Sequence, residues 1–260
     1  MISDSVIYEA EKLVKEVGKL LLLEVDDQKV ITKSGDANFV TEIDLKVQEI
    51  IVKRLYEILP ESNIIAEETK ANDFSFGKYT WILDPVDGTT NLMYGYKYSC
   101  VALGLVVEGI PYAGIVYNPY LDELFSAIKG KGAFVNNMPI GVSGSRTLKD
   151  SLITFGTSPY DKGKADATFR LAREVFMQCR DVRRTGCAAL DICSVAAGRT
   201  DGYFELELQP WDYAGASIIL EEAGGSITDW EGKKLSYLYK TAAIATNGHI
   251  YKELYTLINK

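Results

Sequence analysis

The residues best suited to chemistry lie at 81–91, where the sequence reads WILDPVDGTTN. An apolar run, typical of a buried strand, leads into Asp84 and Asp87, and a glycine and two threonines follow. Pro85 fixes its own backbone and disfavours helix at Asp84, so the strand is expected to end there in a defined bend. Both carboxylates can then face one point beside the free amides that open a helix. Such an arrangement can hold magnesium and phosphate together.

The same stretch also fits an ordinary Asp/Pro/Gly turn in which Asp87 caps the next helix. Taken alone, a D-P-x-D-G pattern favours that simpler interpretation. Several more acidic residues also have simple explanations, as helix caps, first-turn charges or solvated strand ends. These residues are Asp44, Asp212, Glu67 and Glu205. A chemical role for any of them requires that the chain bring them together.

The composition is that of a globular chain with an ample core. Of its 260 residues, 47% are hydrophobic, enough for one large domain or two intimately packed ones. The net charge is -8, so broad binding to nucleic acid or to an anionic membrane is not expected. A small anionic substrate would therefore need local cations.

Cysteine, histidine and the N-terminal pattern limit the chemistry further. The four cysteines, Cys100, Cys179, Cys187 and Cys193, have no zinc-like spacing and are interpreted as reduced thiols of a cytosolic protein. His249 is the only histidine, which argues against a Ser-His-Asp triad or a zinc site. At the start of the chain, apolar residues recur at helical spacing between Glu and Lys, which predicts an amphipathic helix rather than a signal or a membrane span.

Local patterns predict strands alternating with helices around these candidates. Thr41 should cap a helix that ends before Pro60, and a strand at 63–66 should deliver Glu67 to its end. Polar loops are predicted at 33–38 and 156–161. The second could line a site, but a surface loop is the simpler interpretation. The remaining predicted elements are strands at 99–107, 112–117, 123–127, 151–155, 181–184, 201–205, 226–228 and 242–245, a hairpin at 130–137, and helices at 165–177, 186–193, 210–222 and after 247. Two sheets layered with helices would fit this order.

Four segments together resemble the inositol monophosphatase family, which belongs to the magnesium-dependent, lithium-sensitive phosphatases. They read VTEID at 40–44, AEET at 66–69, WILDPVDGTTN at 81–91, and PWDYAG at 210–215 with EAGG at 222–225. They occur in family order over nearly the whole chain. The resemblance implies an α/β fold, an alternating α-β-α-β-α sandwich, spanning residues 1–260 as one unit or as two tightly packed subdomains, about 1–145 and 146–260. It also implies a homodimer, which the cysteines, the net charge and the N-terminal pattern place in the cytoplasm without an expected nucleic-acid or membrane partner.

The resemblance also assigns roles to particular residues. Glu67, Asp84 and the carbonyl of Val86 would hold one Mg2+. Asp84, Asp87 and Asp212 would hold a second, with a third, weaker ion near Glu67. Thr89, paired with Asp44, would orient the attacking water. The remaining roles are phosphate binding by Gly88, Thr89 and Thr90, and substrate binding by Gly186, Cys187, Ala188 and Glu205.

The implied activity is hydrolysis of inositol monophosphate or a related polyol or sugar phosphate. Cys187 and Asp191 stand where animal members commonly have threonine and asparagine, which weakens the expectation of a strict inositol preference. A fructose bisphosphatase activity, alone or in a dual-specificity enzyme, would need a second phosphate site, for which Arg183 and Arg184 are the candidates. A phosphoadenosine phosphate phosphatase is a more distant alternative, because Thr89-Thr90-Asn91 resembles the inositol phosphatase branch more than the Asp-Gly-Thr-Lys version typical of that enzyme. A non-catalytic, metal-stabilised regulatory protein is an alternative of another class, although the complete acidic set and Thr89 argue against lost catalysis.

Overall fold

The computed structural model of the chain describes residues 2–23, 31–32, 39–69 and 75–259. Within these ranges two short strands, β1 (Ile31–Thr32) and β2 (Phe39–Val40), pair antiparallel. The sequence also predicts a short strand at 30–32 that leads into the polar loop at 33–38; Val30 and that loop lie outside the described residues.

A seven-stranded sheet forms the first half of the fold. Its strands follow one another in chain order, β3 and β4 are parallel, and every later pair is antiparallel. They are β3 (Ser62–Ala66), β4 (Tyr79–Asp87), β5 (Cys100–Val107), β6 (Ile110–Asn118), β7 (Glu123–Ile128), β8 (Ala133–Val135) and β9 (Met138–Ile140). The predicted meander and hairpin are therefore confirmed. Asn136 and Asn137 both have positive φ in the last turn, as a two-residue hairpin requires.

A five-stranded mixed sheet forms the second half. Its strands are β10 (Leu152–Phe155), β11 (Asp181–Arg183), β12 (Gly202–Leu208), β13 (Ser226–Thr228) and β14 (Thr241–Thr246). Their order across the sheet is β11-β10-β12-β14-β13, with β10 parallel to both of its neighbours. Since β12 lies between β10 and β14, this strand is central to the sheet.

Seven α-helices in the described residues complete an alternation of helix and sheet layers. They are α1 (Asp4–Gly18), α2 (Glu42–Ile58), α3 (Thr89–Met93), α4 (Ala165–Phe176), α5 (Ala188–Ala196), α6 (Pro210–Glu222) and α7 (Tyr251–Ile258). Apolar side chains of α1 and α2 cover one face of the first sheet, α5 and α6 fill the space between the sheets, and α4 and α7 cover the second sheet. This is the predicted α-β-α-β-α sandwich.

The sequence of each helix matches the layer in which it lies. α1 buries one stripe, including Ile7, Leu13 and Val14, and exposes the charged residues between them. α6 is buried nearly all round from Tyr213 to Leu220, because it has a sheet on each side. None of the described helices is long and apolar enough to cross a membrane.

The predicted end of the strand at Asp84 is wrong. β4 continues through Pro85 to Asp87, with an irregular register against β5 between Asp84 and Asp87. A local break in the ladder accommodates a residue that has no N–H to donate. The strand therefore carries both aspartates, and the bend comes at Gly88.

Candidate active site

The site begins where the parallel strands β3 and β4 end side by side. Glu67 follows the last residue of β3, and its amide donates a 3.2 Å hydrogen bond to the carbonyl of Leu83 in β4. Asp84 comes directly after Leu83 and is 2% exposed. Parallel pairing thus brings two acidic residues, far apart in the chain, to one edge of the sheet.

The turn after β4 is built to expose backbone amides. Gly88 has a φ of +87°, and a side chain there would lie 3.1 Å from the carbonyl of Tyr98 and 3.3 Å from that of Gly186. Only glycine fits that conformation and that space. The amides of Gly88, Thr89 and Thr90 make no hydrogen bond to other described residues. They remain available to an anion.

Asn91 fixes this turn against the second half of the chain. Its Nδ2 donates to the carbonyl of Tyr98 at 2.8 Å and to that of Thr185 at 2.9 Å. Because Thr185 lies 94 residues away, no local pattern could have revealed this contact. The bond holds the loop that follows β11 beside the amides of the turn after β4.

Thr89 and Asp44 lie in direct contact, as the family resemblance implied. The Thr89 hydroxyl is 3.0 Å from Asp44 Oδ1 and 3.0 Å from the carbonyl oxygen of Val86, so it donates to one of two acceptors. Asp44 Oδ2 accepts from the amide of Thr41 at 2.9 Å and from the Thr41 hydroxyl. The helix cap predicted at Thr41 is confirmed as a capping box, which also orients the Asp44 carboxylate toward Thr89.

Asp87 is held by the start of α5. Its Oδ2 accepts from the amide of Ala189 at 2.6 Å and from the thiol of Cys187 at 3.2 Å. Burial raises the pKa of Asp87 to about 6, although these hydrogen bonds oppose the shift.

The carboxylates create a strongly negative site. Burial raises the pKa of Asp84 well above its usual range, and three neighbouring carboxylates, Glu67, Asp87 and Asp212, raise it further. Asp212, in the first turn of α6, also has a raised pKa through burial and through Asp87 and Glu67, while its Oδ2 caps the amide of Gln209 at 2.7 Å. Among the described residues, Asp84, Asp87 and Asp212 form no salt bridge. Clustered carboxylate oxygens with a nearby backbone carbonyl suit a hard divalent cation.

The oxygens of these carboxylates lie farther apart than they would if they all coordinated one metal ion. Within the described ranges, no three of the predicted metal ligands bring their carboxylate oxygens within 4.8 Å of one another. A cation bound by all three of Asp84, Asp87 and Asp212 would have to draw them together.

Glu205 lies in β12 and is enclosed by its neighbours. Oε1 accepts from the amide of Ser158 at 2.6 Å, and Oε2 accepts from the hydroxyl of Tyr203. A Cβ at Gly156 would lie 1.9 Å from Oε2, so the loop can approach only because that residue is glycine. Burial raises the pKa of Glu205, and these hydrogen bonds and Arg184 oppose the rise. Tyr203 and Glu205 are two residues apart, so both side chains lie on the same face of β12. This spacing could have indicated the pair from the sequence.

One cavity gathers most of the predicted site residues. Those on its wall are Asp87, Gly88, Thr89, Thr90, Gly186, Cys187, Ala188, Glu205 and Asp212. The remaining four are joined to this wall: Asp44 and Val86 through Thr89, and Glu67 and Asp84 through their charge interactions. The loop at 156–161, predicted to be a surface loop, also lines the cavity because Ser158 is bound to Glu205.

The two arginines that were candidates for a second phosphate site lie in different surroundings. Arg184 lines the cavity and donates to Thr157 Oγ1 at 3.0 Å. Arg183 instead pairs with Asp181 and donates to the carbonyl of Val182 at 2.7 Å. Only Arg184 is therefore placed to meet a substrate in this cavity.

Comparison with known proteins agrees with the fold and assigns the family. The model of the inositol monophosphatase family matches residues 3–260. Inositol monophosphatase 3 of Solanum lycopersicum is 38% identical over 256 residues, covering 96% of this chain and 95% of that protein. Nus factor SuhB of Pasteurella multocida is 37% identical over 229 residues, covering 88% and 85%.

Solved structures of related proteins agree with the fold and the family. The IMPase of Thermotoga maritima superposes with a TM-score of 0.89 at 34% identity, covering 99% of this chain and 97% of that one. An IMPase/NADP phosphatase complexed with Mg2+ and phosphate has a TM-score of 0.85 at 26% identity, covering 98% and 94%. The layered α/β fold is that of a phosphatase superfamily. The chain belongs to the inositol monophosphatase family.

Proposed function

We propose that this protein is a magnesium-dependent phosphomonoesterase that hydrolyses inositol monophosphate or a related polyol phosphate. The observation that carries the proposal is the contact of the Thr89 hydroxyl with Asp44 at the edge of the carboxylate cluster. Membership of the family supports phosphatase chemistry, and the complex of a related phosphatase with Mg2+ and phosphate supports the choice of cation.

The chain's own residues have separate parts in this proposal. Glu67, Asp84 and the Val86 carbonyl would hold one Mg2+, and Asp84, Asp87 and Asp212 another, with a third ion near Glu67. When bound, the cations would acidify the attacking water and neutralise charge on the phosphate and the leaving oxygen. Phosphoryl transfer depends mainly on positioning and charge, so a histidine or a covalent nucleophile is not required.

Thr89 and the amides of the turn would position the reactants. The Thr89 proton is directed toward Asp44 or Val86, so the remaining lone pairs of Oγ1 can accept a hydrogen bond from water. Asp44 is locked by Thr41 and holds that orientation. The amides of Gly88, Thr89 and Thr90 would receive the phosphate oxygens.

The alcohol part of the substrate would lie against the opposite wall. Glu205, fixed at both oxygens, still has lone pairs that can accept from substrate hydroxyls. Gly186 and Ala188 would line this part of the cavity. A polyol fits better than an apolar alcohol, because a buried carboxylate without a hydroxyl partner is costly.

Two competing functions each have a specific observation in their favour. Arg184 on the cavity wall would suit a second anionic group, as in fructose bisphosphate or phosphoadenosine phosphate. A regulatory role is favoured by the relatives named Nus factor SuhB.

The homodimer stays a prediction.

A panel of phosphate esters tests the proposal. It should contain inositol 1-phosphate, a simple polyol phosphate, fructose bisphosphate, phosphoadenosine phosphate and histidinol phosphate, each assayed for released phosphate with and without Mg2+. We expect the highest kcat/KM for inositol 1-phosphate or the polyol ester. Preference for a bisphosphate would instead assign the protein as a bisphosphatase that uses Arg184. Magnesium binding with no release from any ester would favour the regulatory role.

A further inference from the structure

A second, chemically different set of donor atoms lies behind the phosphate-binding turn. Cys100 opens β5, and Cys187 immediately precedes α5, yet their sulfurs are 3.6 Å apart. Cys187 Sγ is also 3.2 Å from Asp87 Oδ2 and 3.5 Å from the carbonyl oxygen of Asp87. Both thiols are buried, with at most 1% of either residue exposed.

These separations match a tetrahedral site for a thiophilic cation. Zinc bonds of about 2.3 Å to sulfur and about 2.0 Å to oxygen place two sulfurs about 3.8 Å apart and a sulfur and an oxygen about 3.5 Å apart. One ligand atom from each of Asp87, Cys100 and Cys187 lies within 4.8 Å of the other two. No other trio of acidic, cysteine or histidine side chains in the described parts of the chain is as compact.

We propose that Cys100, Cys187 and Asp87 form a binding site for a soft divalent cation such as Zn2+ or Cd2+. Two thiolates and one carboxylate favour such cations over Mg2+, which takes oxygen ligands. Asp87 and Cys187 lie on the cavity wall, which provides the entry path. The two sulfur bonds form as the two thiol protons leave to solvent.

Asp87 links this site to the proposed phosphatase centre. A cation on Oδ2 replaces the hydrogen bond from Cys187 and draws the carboxylate toward β5. If the proposed function holds, the same residue then serves the Mg2+ site less well, and soft cations inhibit without displacing the substrate. This consequence rests on the proposed function, whereas the binding itself does not.

Cadmium binding tests the proposal without any enzymatic assay. The full-length protein is titrated with Cd2+ in excess Mg2+ and a phosphine reductant, and the ultraviolet charge-transfer absorption of cadmium thiolates is followed. We expect one Cd2+ per chain with this absorption. Cys100→Ser and Cys187→Ser should each weaken binding by about tenfold or more, because each removes one ligand.

Two matched variants complete the experiment. Cys179→Ser and Cys193→Ser remove thiols outside the trio and should bind Cd2+ like the parent protein, and thermal unfolding checks that all four variants fold. Absence of the absorption in the parent protein, or its persistence in the Cys100→Ala/Cys187→Ala double variant, overturns the proposal. Cadmium binding by a protein that releases no phosphate with Mg2+ alone would contradict only the proposed function.

Discussion

The hydroxyl of Thr89 lies 3.0 Å from Asp44 Oδ1, although 45 residues separate them in the chain. Asp44 belongs to the capping box that begins α2, and Thr89 is the first residue of α3. One carboxylate therefore caps a helix and orients a hydroxyl group at the edge of the acidic cavity. The helix-capping and catalytic interpretations of Asp44 are compatible.

Removing the hydroxyl of Thr89 should reduce turnover. Thr89→Val keeps the shape of the side chain but cannot orient water, so we expect kcat to fall about 100-fold or more. Thr89→Ser keeps the hydroxyl and should remain within about tenfold of the parent protein. Phosphate release from inositol 1-phosphate measures both. Similar rates for the valine and serine variants would show that the hydroxyl has no part in the reaction.

Asp44 and Thr89 should behave as one unit. Asp44→Asn weakens the acceptor for the Thr89 hydroxyl, so the double variant Asp44→Asn/Thr89→Val should be about as slow as the slower single variant. A double-mutant cycle on kcat measures this coupling. If the losses in kcat of the two single variants multiply in the double variant, the two residues act independently and the coupling is contradicted.

Tyr203 should affect recognition of the alcohol rather than the phosphate. Its hydroxyl donates to Glu205, so Tyr203→Phe should lower kcat/KM for inositol 1-phosphate by about tenfold, or about 1.4 kcal/mol. For 4-nitrophenyl phosphate, which has no alcohol hydroxyls, we expect a change within about twofold. Tyr237→Phe is the matched control, since that buried tyrosine bonds Ser217 outside the cavity. An equal loss on both substrates would indicate a general structural role.

The metal-free protein should lose stability as pH rises. The pKa of Asp87 is about 6 in the folded protein against an ordinary value of 3.8, so the folded state binds more protons between these values. Unfolding free energy should therefore fall across this window, by up to about 3 kcal/mol from this group. Denaturant melts in a chelator at pH 4.5 and pH 7 measure the change. Mg2+ should restore more stability at pH 7 than at pH 4.5, whereas a rise in metal-free stability with pH would contradict the assigned shift.

Sequence patterns predicted the features that depend on residues close together in the chain. The capping box at Thr41, the strand before Glu67, the hairpin at Asn136 and the start of α6 all follow from local spacing and turn chemistry. The sandwich fold and the site roles of the acidic residues were implied by the resemblance of four segments to one family. The structure then supplied the direction in which each side chain points.

Other features depend on contacts between distant segments, so local patterns could not give them. The bond between Asp87 and the amide of Ala189 spans 102 residues, and the two hydrogen bonds of Asn91 join separate loops. Cys187 was predicted to line the substrate site, and its thiol is directed at Asp87 and Cys100. The strand continues past Pro85 because the ladder with β5 is locally irregular there, which no pattern at 81–91 reveals.

Substitution of Asp84 tests the central claim most directly. Asp84 is assigned to both cations, so Asp84→Asn should release phosphate from inositol 1-phosphate at less than about 1% of the parent rate at every Mg2+ concentration. The parent protein should show a saturable requirement for Mg2+. Because the substitution relieves repulsion from Glu67, Asp87 and Asp212, the metal-free variant should melt higher, by about 2–4 °C for each kcal/mol gained, so lost activity cannot reflect a damaged fold. Parent turnover that persists in a chelator, or an Asp84→Asn variant as active as the parent, would contradict the account.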